Sequence, residues 1–72
     1  MEFVKVKYWR HRVVLINGQR AGMTNRTLVV GEGRQRFELS PPKNYVPSEQ
    51  IKVVRRTTRQ RPLVIVFQHQ SQ

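Results

Sequence analysis

Residues able to do acid–base or metal chemistry are few in this sequence. The carboxylates are four glutamates, Glu2, Glu32, Glu38 and Glu49, and there is no aspartate. They fall on a terminus, a turn, a strand and a loop, so none of them forms the carboxylate pair of general acid–base catalysis. There is no cysteine, and His11 and His69 lie far apart without the spacing of metal ligands. We therefore expect no enzyme activity, no metal site and no cofactor.

Positive charge is the chemical property that the sequence carries in excess. Fourteen Lys and Arg residues against four Glu give a formal net charge of +10. Eight of these cations lie in residues 1–36 and six in residues 37–72, so they do not form a basic tail on a neutral body. A surface that is merely solvated ordinarily carries both signs. We therefore predict a polyanion as the partner, RNA or DNA, with an acidic protein as the alternative.

The predicted contact residues combine basic and aromatic side chains. Lys5 and Lys7 share a strand face with Trp9, and Arg34 and Arg36 share the solvent-facing side of a later strand. If those strands are neighbours, they form a basic ladder with an indole that stacks on an unpaired base. The alternative for Trp9 is a hydrophobic lid over one end of the core. The full predicted polyanion-binding set is Lys5, Lys7, Trp9, Arg10, Arg12, Arg34, Arg36, Arg55, Arg56, Arg59 and Arg61.

Apolar residues at every second position, and short apolar runs between turn signals, predict the strands that carry these side chains. The predicted strands cover residues 3–9, 13–16, 26–30, 34–40, 51–55 and 62–67. No segment has the apolar period of a helix. Short strands separated by turn signals predict an all-β domain, a small antiparallel β-sandwich of about six or seven strands. The alternative is a small SH3-like or OB-like barrel.

Several strands carry specific burial predictions. The run 13–16 lacks polar alternation and is expected to be buried on both faces. Ile51 and Val53 are expected to point inward. In the proline-rich loop, Tyr45 and Val46 are expected to close the open end of the core. The segment RRTTRQR, residues 55–61, is interpreted as a basic connection that either extends the contact surface or only protects an edge strand.

Turn residues divide the strands. Asn17-Gly18 after an apolar run predicts a hairpin with a type I′ turn, in which both central residues have positive φ. Gly31-Glu32-Gly33 suits a hairpin with a bulge between the third and fourth predicted strands. The predicted structural turn residues are Asn17, Gly18, Gly22, Gly33 and Asn44.

The spacing of these landmarks resembles that of a known family. Ile16-Asn17-Gly18, with Gly22 and Thr24 following, is similar to the VxVDGxxxGxT core of the PEGA domain. Downstream, Leu28 lies where that family has its second strand and Gly33 where it has a glycine turn. Phe37 and Leu39 match its next strand, and Asn44-Tyr45 matches its Gly-Tyr loop. Its closing hairpin falls on the strands of Ile51/Val53 and Leu63/Ile65/Phe67, so the resemblance covers residues 13–67.

The departures from the PEGA pattern affect individual residues. YWRHR, residues 8–12, stands where the Pro-Glu-Gly-Ala element belongs. Asn17 replaces Asp, Asn25 replaces Pro and Asn44 replaces Gly, and each Asn tolerates a turn conformation. The resemblance implies a small sandwich of transthyretin- or Ig-like appearance, without catalysis, that serves as a structural or protein-interaction module. Its usual extracytoplasmic setting is not carried over, because the family does not predict so basic a surface.

The length of 72 residues predicts one domain, residues 1–72, with a disordered polar tail over residues 68–72. Its longest apolar run, Leu63 to Phe67, is too short for a membrane span, and no signal-peptide pattern is visible. We expect a cytoplasmic protein, or an extracytoplasmic one if the chain is an excised module. A monomer is expected, with an edge-strand dimer as the alternative.

Overall fold

The computed structural model describes residues 1–70, which form strands and turns without a helix. The all-β prediction is therefore confirmed. The strands are β1 (Glu2–Lys7), β2 (Val13–Ile16), β3 (Gln19–Met23), β4 (Thr27–Val30), β5 (Gly33–Leu39), β6 (Tyr45–Val46), β7 (Gln50–Val54), β8 (Leu63–Val66) and β9 (Gln68–His69).

The strands form two larger sheets and one ribbon. One sheet has the order β4-β1-β8, the other has the order β3-β2-β5-β7, and β6 pairs with β9. The strand pairs are antiparallel except for β1 and β8, which run parallel. Buried side chains from both larger sheets form one core, so the domain is a small sandwich. Its members are Val4, Val6, Tyr8, Val14, Leu28, Val30, Phe37, Leu39, Tyr45, Val54, Ile65 and Phe67.

Strand β1 is the centre of its sheet, and its alternation follows the sequence prediction. Val4 and Val6 are fully buried, so the residues between them point to the outer face. Burial of each valine contributes on the order of 1.5–3 kcal/mol relative to exposure. The apolar face thereby determines which way Lys5 and Lys7 point.

The hairpin at Asn17-Gly18 is confirmed. Asn17 has φ 53° and Gly18 has φ 83°, as a type I′ turn requires. The second strand of the hairpin, β3, is polar and exposed at its start, so its sequence lacks the apolar alternation of a strand. It is extended because it pairs with β2. Gly22 is required there, since a Cβ atom would lie 2.5 Å from Leu28 Cδ2.

Two predicted turns have a different geometry. Gly31 and Glu32 connect the two larger sheets, because β4 pairs with β1 whereas β5 pairs with β2 and β7. The predicted hairpin at Gly31-Glu32-Gly33 is therefore wrong. Gly33 begins β5 with φ 114°, whereas Asn44 is not among the residues with positive φ. Asn25, which was not among the predicted turn residues, has a positive φ of 66°.

Two predictions for β7 are wrong. It forms no hairpin with β8, because β7 pairs with β5 and β8 with β1, and its predicted inward residues point outward. Ile51 and Val53 are 47% and 58% exposed, and Val54 is the buried residue. The register explains the difference, because Ile51 pairs with Arg36 and Val53 with Arg34 on the outer face of β5. In β2, Val14 is fully buried whereas its neighbours are half-buried, so burial on both faces is also wrong.

The ribbon of β6 and β9 closes one end of the core. Tyr45 is buried and contacts Phe67 edge-on, with 5.3 Å between ring centroids, whereas Val46 is exposed. The prediction for this end is therefore confirmed for Tyr45 and wrong for Val46. Gln68 and His69 form β9, so the predicted disorder does not extend to them. Gln70 is also described, and its N–H donates to the Asn44 carbonyl at 2.9 Å. Residues 71–72 of the predicted tail lie outside the described residues.

Candidate nucleic-acid interface

The outer face of the sheet β4-β1-β8 carries a basic centre between apolar flanks. Lys5 lies between Thr27 of β4 and Val64 of β8, and Lys7 lies beside Val66. Side chains alternate between the two faces of each strand, so Phe3, Val29 and the residues just named lie on the same outer face of the sheet. We call this surface the β1 face, and its members are Phe3, Lys5, Lys7, Thr27, Val29, Val64 and Val66.

An arginine covers an aromatic ring at each end of β1. The guanidinium carbon of Arg59 lies 4.9 Å from the centroid of the Phe3 ring. The guanidinium carbon of Arg10 lies 4.1 Å from the centroid of the Trp9 ring. Both distances fall within cation–π range. At about 3.3 Å per residue, the strand from Phe3 to Lys7 spans roughly 13 Å. Trp9 follows in a bend two residues after β1 ends.

The loop that carries Arg59 is attached to the first residues of β1. Thr57 donates two hydrogen bonds to Glu2 Oε1, from its backbone N–H at 2.8 Å and from its hydroxyl at 2.5 Å. The Phe3 N–H donates to Thr57 Oγ1 at 2.7 Å. The hydrogen bonds from Thr57, the hydroxyl first, lower the pKa of the Glu2 carboxyl below its ordinary value. This contact holds the loop beside the Phe3 end of the β1 face.

Trp9 lies at the other end and is exposed. Its side chain is 57% accessible and lies against His69, with 4.8 Å between ring centroids and 54° between planes. The alternative of a buried hydrophobic lid is therefore wrong. The buried Thr24 fixes the backbone of this segment, since its hydroxyl donates to the Arg10 carbonyl at 2.7 Å and accepts from the Arg12 N–H at 2.8 Å.

Arg12 belongs to the scaffold of this end. Its guanidinium donates to the carbonyl of Pro42 at 2.7 Å, to Asn44 Oδ1 at 2.9 Å and to the carbonyl of Ser40. These acceptors all lie in the proline-rich loop that leads to Tyr45. The N–H donors predicted to contact a polyanion are therefore used inside the chain.

Arg34 and Arg36 lie on the other sheet, so the predicted ladder with Lys5 and Lys7 is wrong. Strand β1 has β4 and β8 as neighbours, whereas β5 lies between β2 and β7. A glutamate also shares the outer face of β5: Glu38 carboxylate oxygens lie 3.9 Å from Arg36 Nε and 3.9 Å from Lys43 Nζ. This face therefore carries both signs of charge.

The remaining predicted cations lie in the basic loop. Arg55, Arg56 and Arg61 are exposed. Arg56 has a positive φ of 58°, and the backbones of Thr58 and Arg61 exchange hydrogen bonds of 3.1 and 3.2 Å. Among the described residues of this loop, Arg59 is the arginine that lies over an aromatic ring of the β1 face. The loop therefore extends the β1 face through Arg59.

Two clefts meet at Trp9. The first has a volume of about 460 Å³, and we call it the Arg10 cleft. Its lining is Tyr8, Trp9, Arg10, Arg12, Pro42, Asn44 and His69. The second has a volume of about 420 Å³, and we call it the Lys7 cleft. Its lining is Lys7, Tyr8, Trp9, Asn25, Val66, Phe67, Gln68 and His69.

The structure thus assembles part of the predicted set and adds residues to it. Lys5 and Lys7 lie on one face, Arg59 lies over Phe3 at one end, and Trp9 follows the other end with Arg10 over its ring. Strand β9 supplies Gln68 and His69 beside Trp9. Sequence reasoning missed these two because they follow the last apolar strand in a polar segment. Their pairing with β6 is a long-range contact without a local signal.

Comparison with known proteins returned no match to a family model, a curated protein or a solved structure. Within residues 1–70, no three His, Asp or Glu side chains are grouped closely enough to hold a metal ion. The same residues include no helix that is both long and apolar enough to cross a membrane.

Proposed function

We propose that this protein is a non-enzymatic nucleic-acid-binding module whose contact surface is the β1 face. The observation that carries the proposal is the charge on this face. Lys5 and Lys7 lie on its central strand, and none of its members is acidic. Arg59 lies over the Phe3 ring at one end, and Arg10 lies over the Trp9 ring beyond the other. Lysine and arginine bind phosphates, and exposed aromatic rings stack on bases.

The opposite sheet serves as an internal comparison. It also carries cations, but Glu38 lies within 4 Å of two of them, at 3.9 Å in each case. A nearby carboxylate repels phosphate and occupies the cations. Equal amounts of charge removed from the two sheets should therefore have unequal effects on binding.

Paired variants test the proposal. Lys5→Gln with Lys7→Gln removes two positive charges from the β1 face, and Arg34→Gln with Arg36→Gln removes two from the outer face of β5, which Glu38 shares. Affinity for a mixed-sequence oligonucleotide is measured at several salt concentrations. If two phosphate contacts are lost, the slope of log K against log salt falls in magnitude by about 1.4–1.8 in the first variant.

The matched variant is expected to keep a slope close to that of the unchanged protein. Equal losses in both variants would contradict a contact surface on the β1 face. No binding of RNA or DNA at about 50 mM salt, where electrostatic binding is strong, would contradict the proposed function.

A second candidate function is a protein-interaction module that adds a strand from an acidic partner at β7. It is favoured by the exposure of Ile51 and Val53, 47% and 58%, on a strand at the edge of its sheet. Apolar pockets along an edge strand give peptides their side-chain contacts. Capture of one acidic protein that persists after nuclease treatment, and that is lost in Ile51→Thr with Val53→Thr, would support this candidate.

We also propose that the chain is PEGA-like in its sandwich plan. The support is local geometry: the Asn17-Gly18 turn has positive φ at both residues, and Gly22 approaches Leu28 too closely for a side chain. These are the positions at which the sequence pattern resembles that family. A structural or interaction module of this type is compatible with either candidate function.

A further inference from the structure

The Lys7 cleft continues the β1 face toward Trp9. Lys7 and Val66 are adjacent on β1 and β8, and both belong to the β1 face and to the lining of the cleft. A chain of phosphates that follows Lys5 and Lys7 therefore arrives at the mouth of this cleft. Outward side chains on β1 repeat at about 6.6 Å, a distance similar to that between successive phosphates of an extended strand.

The size and lining of the cleft suit a flat, polar-edged ring. Its volume of about 420 Å³ falls within the usual range for small-ligand sites. Trp9 and His69 supply rings, Val66 supplies an apolar contact, and Gln68 supplies an amide. An amide both donates and accepts hydrogen bonds, as the edge of a nucleobase requires.

Trp9 lines both clefts, whereas Arg10 lines only one of them. Arg10 lies over the Trp9 ring and lines the Arg10 cleft, but it is not part of the lining of the Lys7 cleft. Trp9 is 57% exposed, so ring surface is accessible without rearrangement of the core. A base in the Lys7 cleft therefore reaches Trp9 without displacing Arg10.

We propose that the Lys7 cleft binds one unpaired nucleobase, which makes single-stranded nucleic acid the ligand class of this protein. This inference rests on the proposed nucleic-acid-binding function of the β1 face. Bases in a duplex are stacked on their neighbours and paired at their edges, so they cannot enter a side-chain cleft. Trp9 supplies the stacking surface, Gln68 contacts the edge of the base, and Lys7 binds the adjoining phosphate.

The test compares a single strand with its duplex. A labelled mixed-sequence oligonucleotide of about 12 nucleotides, within the site sizes of single-strand binders, is titrated alone and as a duplex. Fluorescence anisotropy gives the affinity, and the emission of Trp9, the one tryptophan of the chain, reports on the cleft. The variants are Trp9→Leu, which removes the ring, and Trp9→Phe, which keeps a smaller one.

We expect the single strand to bind more tightly than the duplex and to quench Trp9. Trp9→Leu should weaken single-strand binding about 5- to 150-fold, with little change for the duplex, and Trp9→Phe should restore most of the loss. Because Trp9 is exposed, circular dichroism should show both variants folded.

Three results would overturn the inference while leaving the proposed function in place: equal affinity for single strand and duplex, unchanged Trp9 emission at saturation, or unaltered single-strand binding by Trp9→Leu. Polyglutamate binding as tight as that of the single strand would also overturn it, since it would show that charge alone is recognised. Absence of binding to either nucleic acid at about 50 mM salt would instead overturn the proposed function itself.

Discussion

Glu2 and Thr57 are 55 positions apart in the chain, and two hydrogen bonds join them. The Thr57 hydroxyl and N–H donate to Glu2 Oε1 at 2.5 and 2.8 Å. The contact connects the start of the central strand β1 to the basic loop, and Arg59 of that loop lies over Phe3. One carboxylate therefore positions a cation of the β1 face without facing the ligand itself.

This contact predicts a dependence of stability on pH. The hydrogen bonds lower the pKa of Glu2 from its ordinary value of 4.5, so the folded state favours the carboxylate. The stabilisation is therefore present above about pH 4.5 and is lost as the pH falls through the lower pKa of the folded state. We expect Thr57→Val to lower the melting temperature at pH 7 and to have a smaller effect at an acid pH at which Glu2 is protonated in the folded state.

Thr58→Val is the matched control for this comparison, because Thr58 is exposed and its hydroxyl accepts only a local bond from the Arg61 N–H at 2.9 Å. Thermal denaturation followed by circular dichroism measures both variants. The same effect of Thr57→Val at both pH values would show that the carboxylate does not contribute.

We predict that a substitution at Arg12 lowers the stability of the fold rather than its affinity for nucleic acid. Arg12→Lys keeps the charge but cannot reach the carbonyls of Ser40 and Pro42 and the Asn44 side chain with one ammonium group. We expect a loss of about 2 kcal/mol in the free energy of unfolding, since charge-assisted hydrogen bonds are lost. Urea denaturation measures this loss.

The control for Arg12→Lys is Arg10→Lys, which changes an exposed residue and should be nearly neutral for stability. Oligonucleotide affinity is measured under conditions in which both variants are fully folded. Unchanged stability together with weakened binding in Arg12→Lys would place Arg12 in the contact surface.

We predict a loss of stability when the buried hydroxyl of Tyr45 is removed. Its oxygen donates to the Leu39 carbonyl at 2.8 Å and accepts from the Leu39 N–H at 3.2 Å. Tyr45→Phe leaves both backbone groups without this partner, so we expect a loss of about 1–3 kcal/mol. Tyr8→Phe removes a hydroxyl whose bond to the Asn44 carbonyl is 3.4 Å long, and it should lose less. Urea midpoints that rank the two variants in the opposite order would contradict this assignment.

We predict a steric effect when one methyl group is added at Gly22. A Cβ atom there lies 2.5 Å from Leu28 Cδ2, and φ is 152°. Gly22→Ala should therefore lose about 1–3 kcal/mol through overpacking, with backbone strain in addition. Gly31→Ala is the control, because a Cβ atom there would lie 3.6 Å from its nearest neighbour, Nε2 of the flexible Gln35 side chain. Equal urea midpoints for the two variants would show that Leu28 moves aside at little cost.

The local features of this protein were predictable from short stretches of its sequence. Apolar alternation predicted β1 and β5, because burial of one strand face requires a period of two residues, and a short apolar run predicted β8. Asn17-Gly18 predicted a type I′ turn because those residue types tolerate positive φ. The side of β1 on which Lys5 and Lys7 lie follows directly from the burial of Val4 and Val6.

Strand neighbours were decided only by the tertiary structure, because pairing depends on which apolar faces meet across the whole core. Both β3 and β9 are polar and became strands through their partners. The register with β5 turned Ile51 and Val53 outward. Likewise, β1 pairs with β4 and β8, so Lys5 and Lys7 share a surface with Arg59 instead of Arg34 and Arg36. The sequence by itself determined the basic charge and the apolar strands, and the packing of those strands determined which cations share a face.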